Sequence, residues 1–237
     1  MTKLFIYLLF VFKMFIFYER LKYICINKMI WGSNIINNLY VFAYTFQPQY
    51  CYNKVNYSGC MAPEPYWYDH FTAHGLWPQY TSGGYPQYCS SEVLNTSVVD
   101  EIGWDSMTMY WPNVEYNVSE PEYTEFWAHE WEKHGTCSGL SQIDYLNTTI
   151  QMVQSFGSPF IFSESVGETI SAAVLRDAFG GPEYAILQCD GSMYVSGVFT
   201  CWGVDSATQF PTIQITCPED VQNEDTCEES MLMIESF

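Results

Sequence analysis

The feature that most restricts this chain is its set of cysteines. There are nine, at positions 25, 51, 60, 89, 137, 189, 201, 217 and 227. All but Cys25 follow residue 50, an even set spread along the rest of the chain. None stands in a C-x-x-C pair, so neither a zinc knuckle nor a thioredoxin-like redox motif is indicated. Such a set predicts a disulfide framework and an oxidising compartment. N-x-[ST] sequons at Asn56, Asn95, Asn117 and Asn147 point the same way and are read as glycosylation sites.

Cys25 belongs to a segment of different character. Lys3 precedes an apolar run over residues 4–12, the length of a signal-peptide core. Lys13 interrupts, and residues 14–18 are apolar again. The run is too short and too broken to span a bilayer, so no stable membrane association is expected. Residues 1–30 read as a signal peptide or N-terminal extension, and residues 31–237 as one folded domain. The expected route is the secretory pathway, ending outside the cell or in a lysosome or vacuole.

Charge is distributed unevenly. Five of the eight basic residues lie before position 30; after it only Lys54, Lys133 and Arg176 remain. Of the 27 acidic residues, only Glu19 lies in that early stretch, so the net charge of −19 understates the negative surface of the rest. Stable non-specific binding to a polyanion is disfavoured near neutral pH. The balance suits a protein working in acid, where carboxylates begin to protonate at about pH 4. It also makes each surviving cation informative. Apolar residues make up 48 %, which excludes a disordered chain.

Apolar, β-prone residues 39–46 predict a buried central strand, ended by Gln47-Pro48. Residues 71–78 predict a strand that breaks at Gly75 and Pro78. Ser119-Glu-Pro-Glu122 carries helix-start signals, and the helix is expected to reach His134, with Gly135 as its stop. Helices are also predicted over 144–156 and 168–179, and strands over 184–189, 193–201 and 212–217. Strands and helices do not alternate strictly. The fold class is therefore α+β, a central, mainly antiparallel sheet with helices packed on it.

Three of the four histidines stand in two short motifs. One is His74-Gly-Leu-Trp-Pro78. The other is Phe126-Trp-Ala-His129-Glu130-Trp-Glu-Lys133-His134-Gly-Thr-Cys137. At about 100° per helical residue, Lys133, Glu130 and His134 fall roughly 40°, 100° and 140° from His129. Two imidazoles, an ammonium and a carboxylate thus share one arc, with Trp127 and Trp131 opposite, facing the core. The cationic neighbours should depress the histidine pKa values, and the arc suits an anionic ligand. A zinc site of the H-E-x-x-H type is not indicated, because Lys133 stands where the second ligand would be. His70 reads as a surface or packing residue.

The two histidine segments resemble the active-site segments of the ribonuclease T2 family. Thr45-Phe-Gln-Pro-Gln-Tyr-Cys51 resembles that family's first strand, Trp111-Pro-Asn-Val114 its mid-chain segment, and residues 171–181 a later helix; the resemblance covers about residues 39 to 227. It implies a metal-independent endoribonuclease acting on single-stranded RNA, with no cofactor, and a catalytic domain over 31–237. His74 and His134 would be the acid–base pair. His129, Glu130 and Lys133 would bind the phosphate and stabilise its transition state. Trp77, Asn113, Val114 and Phe126 would hold the substrate. The products would be 2′,3′-cyclic and then 3′-phosphates. The chain departs from the family at Thr45-Phe46, where Gln-Trp is common, which bears on base preference. A monomer is expected.

Eight cysteines allow on the order of a hundred pairings. Cys51 and Cys60 can close a short loop, and Cys89–Cys137 would tie the two histidine segments together. Cys201–Cys217 would join neighbouring strands, and Cys189–Cys227 would pin the acidic tail. The resemblance implies the same scheme. Two other functions are to be weighed: an inactive binding or storage protein on the same fold, and a metallohydrolase.

Overall fold

A computed structural model of the protein describes residues 39–237. The signal or extension segment and Cys25 lie outside the described residues.

The sheet contains β1 (Leu39–Phe46), β2 (Phe71–Gln79), β3 (Thr169–Ser171), β4 (Ala185–Asp190), β5 (Tyr194–Val204), β6 (Pro211–Ile215) and β7 (Met231–Met233). Its order is β2-β1-β5-β7-β3, with β4 and β6 also paired to β5. All pairings are antiparallel except the single β5–β7 bridge. The helices are α1 (Gln47–Cys51), α2 (Ser58–Met61), α3 (Ser97–Ile102), α4 (Trp104–Tyr110), α5 (Glu125–Lys133), α6 (Gln142–Phe156), α7 (Phe160–Ser163), α8 (Ala172–Ala178) and α9 (Glu219–Gln222).

β1 is central, between β2 and β5, and both its faces are covered. Tyr40, Phe42, Tyr44 and Phe46 join the main core with Phe71, Trp111, Trp127, Trp131 and Tyr145. Leu39 and Val41 join a smaller cluster with Ile186, Cys201, Cys217 and Val221. Two-sided burial explains why β1 reads as a continuous apolar run rather than an alternating one. The longest helix among the described residues, α6, packs on β1 and β2. Its cap is Ser141, whose side chain accepts from the Asp144 amide.

Three expectations need correction. β2 does not break at Gly75; it runs to Gln79. Ala43 pairs with Gly75 and Tyr44 with Ala73, which leaves His74 as the extra residue of a β-bulge. The helix expected from Ser119 starts later: a 3₁₀ turn covers Pro121–Thr124 and α5 begins at Glu125. Residues 168–179 are not one helix. Thr169–Ser171 pair with Met231–Met233 as a strand, and α8 begins only at Ala172. A partner some sixty residues away is invisible to local periodicity.

All four expected disulfides are present: Cys51–Cys60, Cys89–Cys137, Cys189–Cys227 and Cys201–Cys217, with Cα atoms 5.1–5.3 Å apart. No helix among the described residues is long and apolar enough to cross a membrane.

Candidate active site

The site forms where β2 meets the C-terminal end of α5. The bulge aims His74, whose ring remains 45 % exposed while Glu130 opposite is only 2 % exposed. Gly75 is what lets these elements meet. A Cβ there would overlap the Glu130 carboxylate and the Trp77 indole. The contact is tied by two bonds. Trp77 donates from Nε1 to Glu130 Oε2 at 2.8 Å, and Tyr145 of α6 bridges the two elements, its Oη donating to the Leu76 carbonyl at 2.8 Å and lying 3.4 Å from the Glu130 carbonyl. Trp111 Nε1 donates to the His74 carbonyl at 2.8 Å and fixes the bulge from the core side.

His74 Nε2 lies 3.7 Å from Glu130 Oε1, and Nδ1 lies 3.4 Å from Thr45 Oγ1. His134 caps the end of α5 and is buried. The Trp77 indole stacks on its ring, centroids 5.2 Å apart, and also stands edge-on to His74 at 5.4 Å. One tryptophan therefore spaces the two imidazoles. His134 Nδ1 has no hydrogen-bond partner among the described residues.

Electrostatics follow from burial beside cations. Burial, then the Lys133 and His129 charges, lower His74 to about 4. The same causes, with His74 added last, lower His134 to about 3. Burial raises Glu130 to about 8, against the Trp77 hydrogen bond and the Lys133 charge. Glu130 is thus a neutral carboxylic acid in mild acid, able to donate a hydrogen bond. The direction agrees with the sequence expectation, but burial, not the cationic neighbours, is its largest cause.

Two clefts flank the pair. One of about 260 Å³ is lined by His74, Thr45, Asn113, Val114 and Phe126. The other, about 180 Å³, is lined by His134, Lys133, Trp77, Gln79 and Tyr85. Phe126 stands edge-on to His74 at 5.4 Å. The Asn113 amide is committed to the backbone: it donates to the Tyr123 carbonyl at 3.1 Å and accepts from the Glu115 amide at 3.3 Å. It shapes the cleft wall. Val114 is almost fully buried behind it.

The structure brings His74, Glu130, Lys133 and His134 together. His129 is exposed on α5, but its charge reaches both imidazoles. Trp127 and Trp131 are buried, as the helical arc required. His70 stacks on Tyr66 at 4.4 Å beside a separate cavity. Sequence reasoning missed Thr45 as a partner of His74, Tyr85 as a wall of the second cleft, and Tyr145 as the tie between β2 and α5. Only Thr45 carried a signal, as a departure from the family pattern. Among the described residues, no group of three His, Cys, Asp or Glu side chains could hold a metal ion.

The model of the Ribonuclease T2 family matches residues 37–202, well over half of the chain. Ribonuclease DdI of Dictyostelium discoideum is 33 % identical over 117 residues, 48 % of this chain and 49 % of that protein. Ribonuclease T2 of Aspergillus oryzae is 45 % identical over 76 residues, 29 % of this chain and 26 % of that protein. The chain thus spans about half or less of these curated relatives. A crystal structure of RNase NT in complex with 5′-AMP shares the fold, with a TM-score of 0.64 over 84 % of this chain and 98 % of that one, at 24 % identity. Both histidine segments fall inside the matched stretch, and the bulge and α5 bring their imidazoles to either side of Trp77: the chain belongs to the ribonuclease T2 family.

Proposed function

We propose that the protein is a secreted or lysosomal endoribonuclease that cleaves single-stranded RNA by acid–base chemistry at His74 and His134. The observation that carries this reading is the pair of imidazoles spaced by Trp77, each facing its own cleft. A phosphodiester lying between them can place a base in each cleft.

His134 is the more buried imidazole and stays neutral in acid, so it takes the proton of the ribose 2′-OH. The 2′-oxygen attacks phosphorus. His74, more open to solvent, gives its proton to the departing 5′-oxygen. The product is a 2′,3′-cyclic phosphate. In the second step water enters where the leaving nucleoside was, the two histidines exchange roles, and a 3′-phosphate results. Lys133 and His129 supply positive charge to the pentacoordinate phosphorus, and the neutral Glu130 carboxyl donates to one of its oxygens. DNA lacks the nucleophile. Four disulfides and four exposed sequon asparagines support the secretory route.

The test is incubation with single-stranded RNA and EDTA at about pH 5. Oligonucleotides with cyclic-phosphate ends are expected. Intact RNA would point to an inactive binding protein, and EDTA-sensitive cleavage to a metallohydrolase.

A further inference from the structure

Three basic residues lie in the described part of the chain, and each has a different situation. Arg176 is occupied: its Nη2 donates to both carboxylate oxygens of Asp225, at 2.8 and 3.0 Å. Lys133 belongs to the histidine cleft. Lys54 makes no ion pair among the described residues, and the reaction as derived above does not use it.

Lys54 is nevertheless held in place. Its Nζ sits 3.1 Å from the ring centroid of Tyr50 and 5.5 Å from that of Tyr57. It lies inside the loop closed by the Cys51–Cys60 disulfide, and its amide donates to the Cys51 carbonyl at 2.9 Å. That loop is bonded to the wall of the His74 cleft. Gly59 N donates to the Val114 carbonyl at 2.8 Å, and Ser58 N to the Glu115 carbonyl at 3.3 Å. Tyr50, which carries the ammonium, itself lines the cleft. A fixed positive charge therefore stands at the rim of the cleft that His74 opens into. Partial burial lowers its pKa, and the nearby Asp190 and Glu115 carboxylates offset part of that lowering. Asp190 is already bonded to Gln49 Nε2 at 2.9 Å.

The position has a direction along the substrate. His74 protonates the leaving 5′-oxygen, so its cleft takes the leaving nucleoside. The next group outward from that cleft is the phosphate on the 3′-oxygen of that nucleoside. We infer that Lys54, seated on Tyr50, binds the phosphate one nucleotide beyond the scissile bond on the 3′ side. This rests on the acid–base reading of His74 above. It gives a strongly acidic protein a second point of grip on a polyanion, and it favours internal cleavage over cleavage of terminal dinucleosides.

The experiment compares kcat/KM for ApA with that for ApAp, which differs only by the 3′-terminal phosphate, at low salt and about pH 5. The wild-type protein should prefer ApAp by about five- to tenfold, as expected for one charge-assisted phosphate contact. Lys54→Gln should bring the ratio close to one and leave ApA cleavage unchanged, while Lys54→Arg should keep the preference. The salt slope for ApAp should also fall by about 0.7 in the Gln variant, the value for one phosphate of a single strand. Equal wild-type rates on the two substrates, or a ratio that survives Lys54→Gln, would overturn the assignment. So would an equal loss on both, which would make Lys54 only a staple for Tyr50. Failure of the wild-type protein to cleave any RNA is a different result and removes the enzymatic reading itself.

Discussion

At the residue scale, the site works by placing ionisable groups where their ordinary pKa values cannot hold. His134 is buried between the Trp77 indole and the end of α5, with Lys133 adjacent. Replacing His74 or His134 by Ala should lower turnover by about 10²–10⁴-fold each, with the melting temperature little changed. Lys133→Met should cost less, because it removes charge and not a proton transfer. Steady-state cleavage of a defined oligonucleotide measures all three. The pH profile follows from the same depressions. One imidazole must be neutral and one protonated, and both folded-state values lie below the usual 6.5, so the bell should centre in acid. An optimum above pH 8 would contradict this arrangement. Glu130 offers a thermodynamic check. Its folded value, about 8, lies above its unfolded value of 4.5, so its contribution to stability is complete below pH 4.5 and is lost as pH rises through 8. Glu130→Gln cannot ionise. The variant should therefore gain melting temperature relative to wild type between pH 5 and 8, while cleaving RNA more slowly. A difference independent of pH would mean that Glu130 is ionised throughout.

At the element scale, the decisive local structure is the bulge of β2. Opposite Ala43 and Tyr44 the strand carries one residue too many, and that residue is His74. Gly75 follows it because the Glu130 carboxylate approaches the strand there too closely for any Cβ. Gly75→Ala should cost about 1–3 kcal/mol by overpacking. It should reduce turnover more than its melting shift implies, since it displaces Glu130 and Trp77 together. Near-normal turnover in this variant, followed with circular-dichroism melts, would show that the approach is not needed for catalysis. The motif His74-Gly-Leu-Trp-Pro78 thus contains both the exposed imidazole and the space for its neighbour Glu130. Sequence periodicity placed β2 correctly but took Gly75 for a break, because an isolated glycine signals a turn and a bulge equally. The same limit explains residues 168–179. Their helical pattern is real from Ala172 on, but Thr169–Ser171 are claimed by β7.

At the scale of the whole molecule, the two histidine segments lie some sixty residues apart and are joined by more than packing. Cys89–Cys137 spans 48 residues and links the loop after β2 to the turn after α5. Tyr88 N also donates to the Lys133 carbonyl at 2.9 Å, and Cys89 N to Thr136 Oγ1 at 3.1 Å. Replacing both cysteines by Ala should cost about 2–5 kcal/mol of stability. Activity at 25 °C should fall beyond that expected from the unfolded fraction, because Lys133 and His134 lose their anchor. Unchanged kcat in the folded fraction would limit the bond to a stabilising role.

What the sequence determined by itself was chemistry: which groups the site would hold and that the cysteines would pair. The two histidine motifs, Lys133 beside them, the tryptophans opposite and the even cysteine set all survive in the structure, because they depend on residue identity and, on the helix, on its period. Tertiary structure alone decided which groups touch. Thr45 meets His74, Tyr145 ties Leu76 to α5, and Lys54 comes to the rim of the His74 cleft through the hydrogen bonds of its loop to Val114 and Glu115. These contacts join residues far apart in the chain. Local propensity carries no term for them, and only the packing of the sheet against α5 and α6 sets their distances.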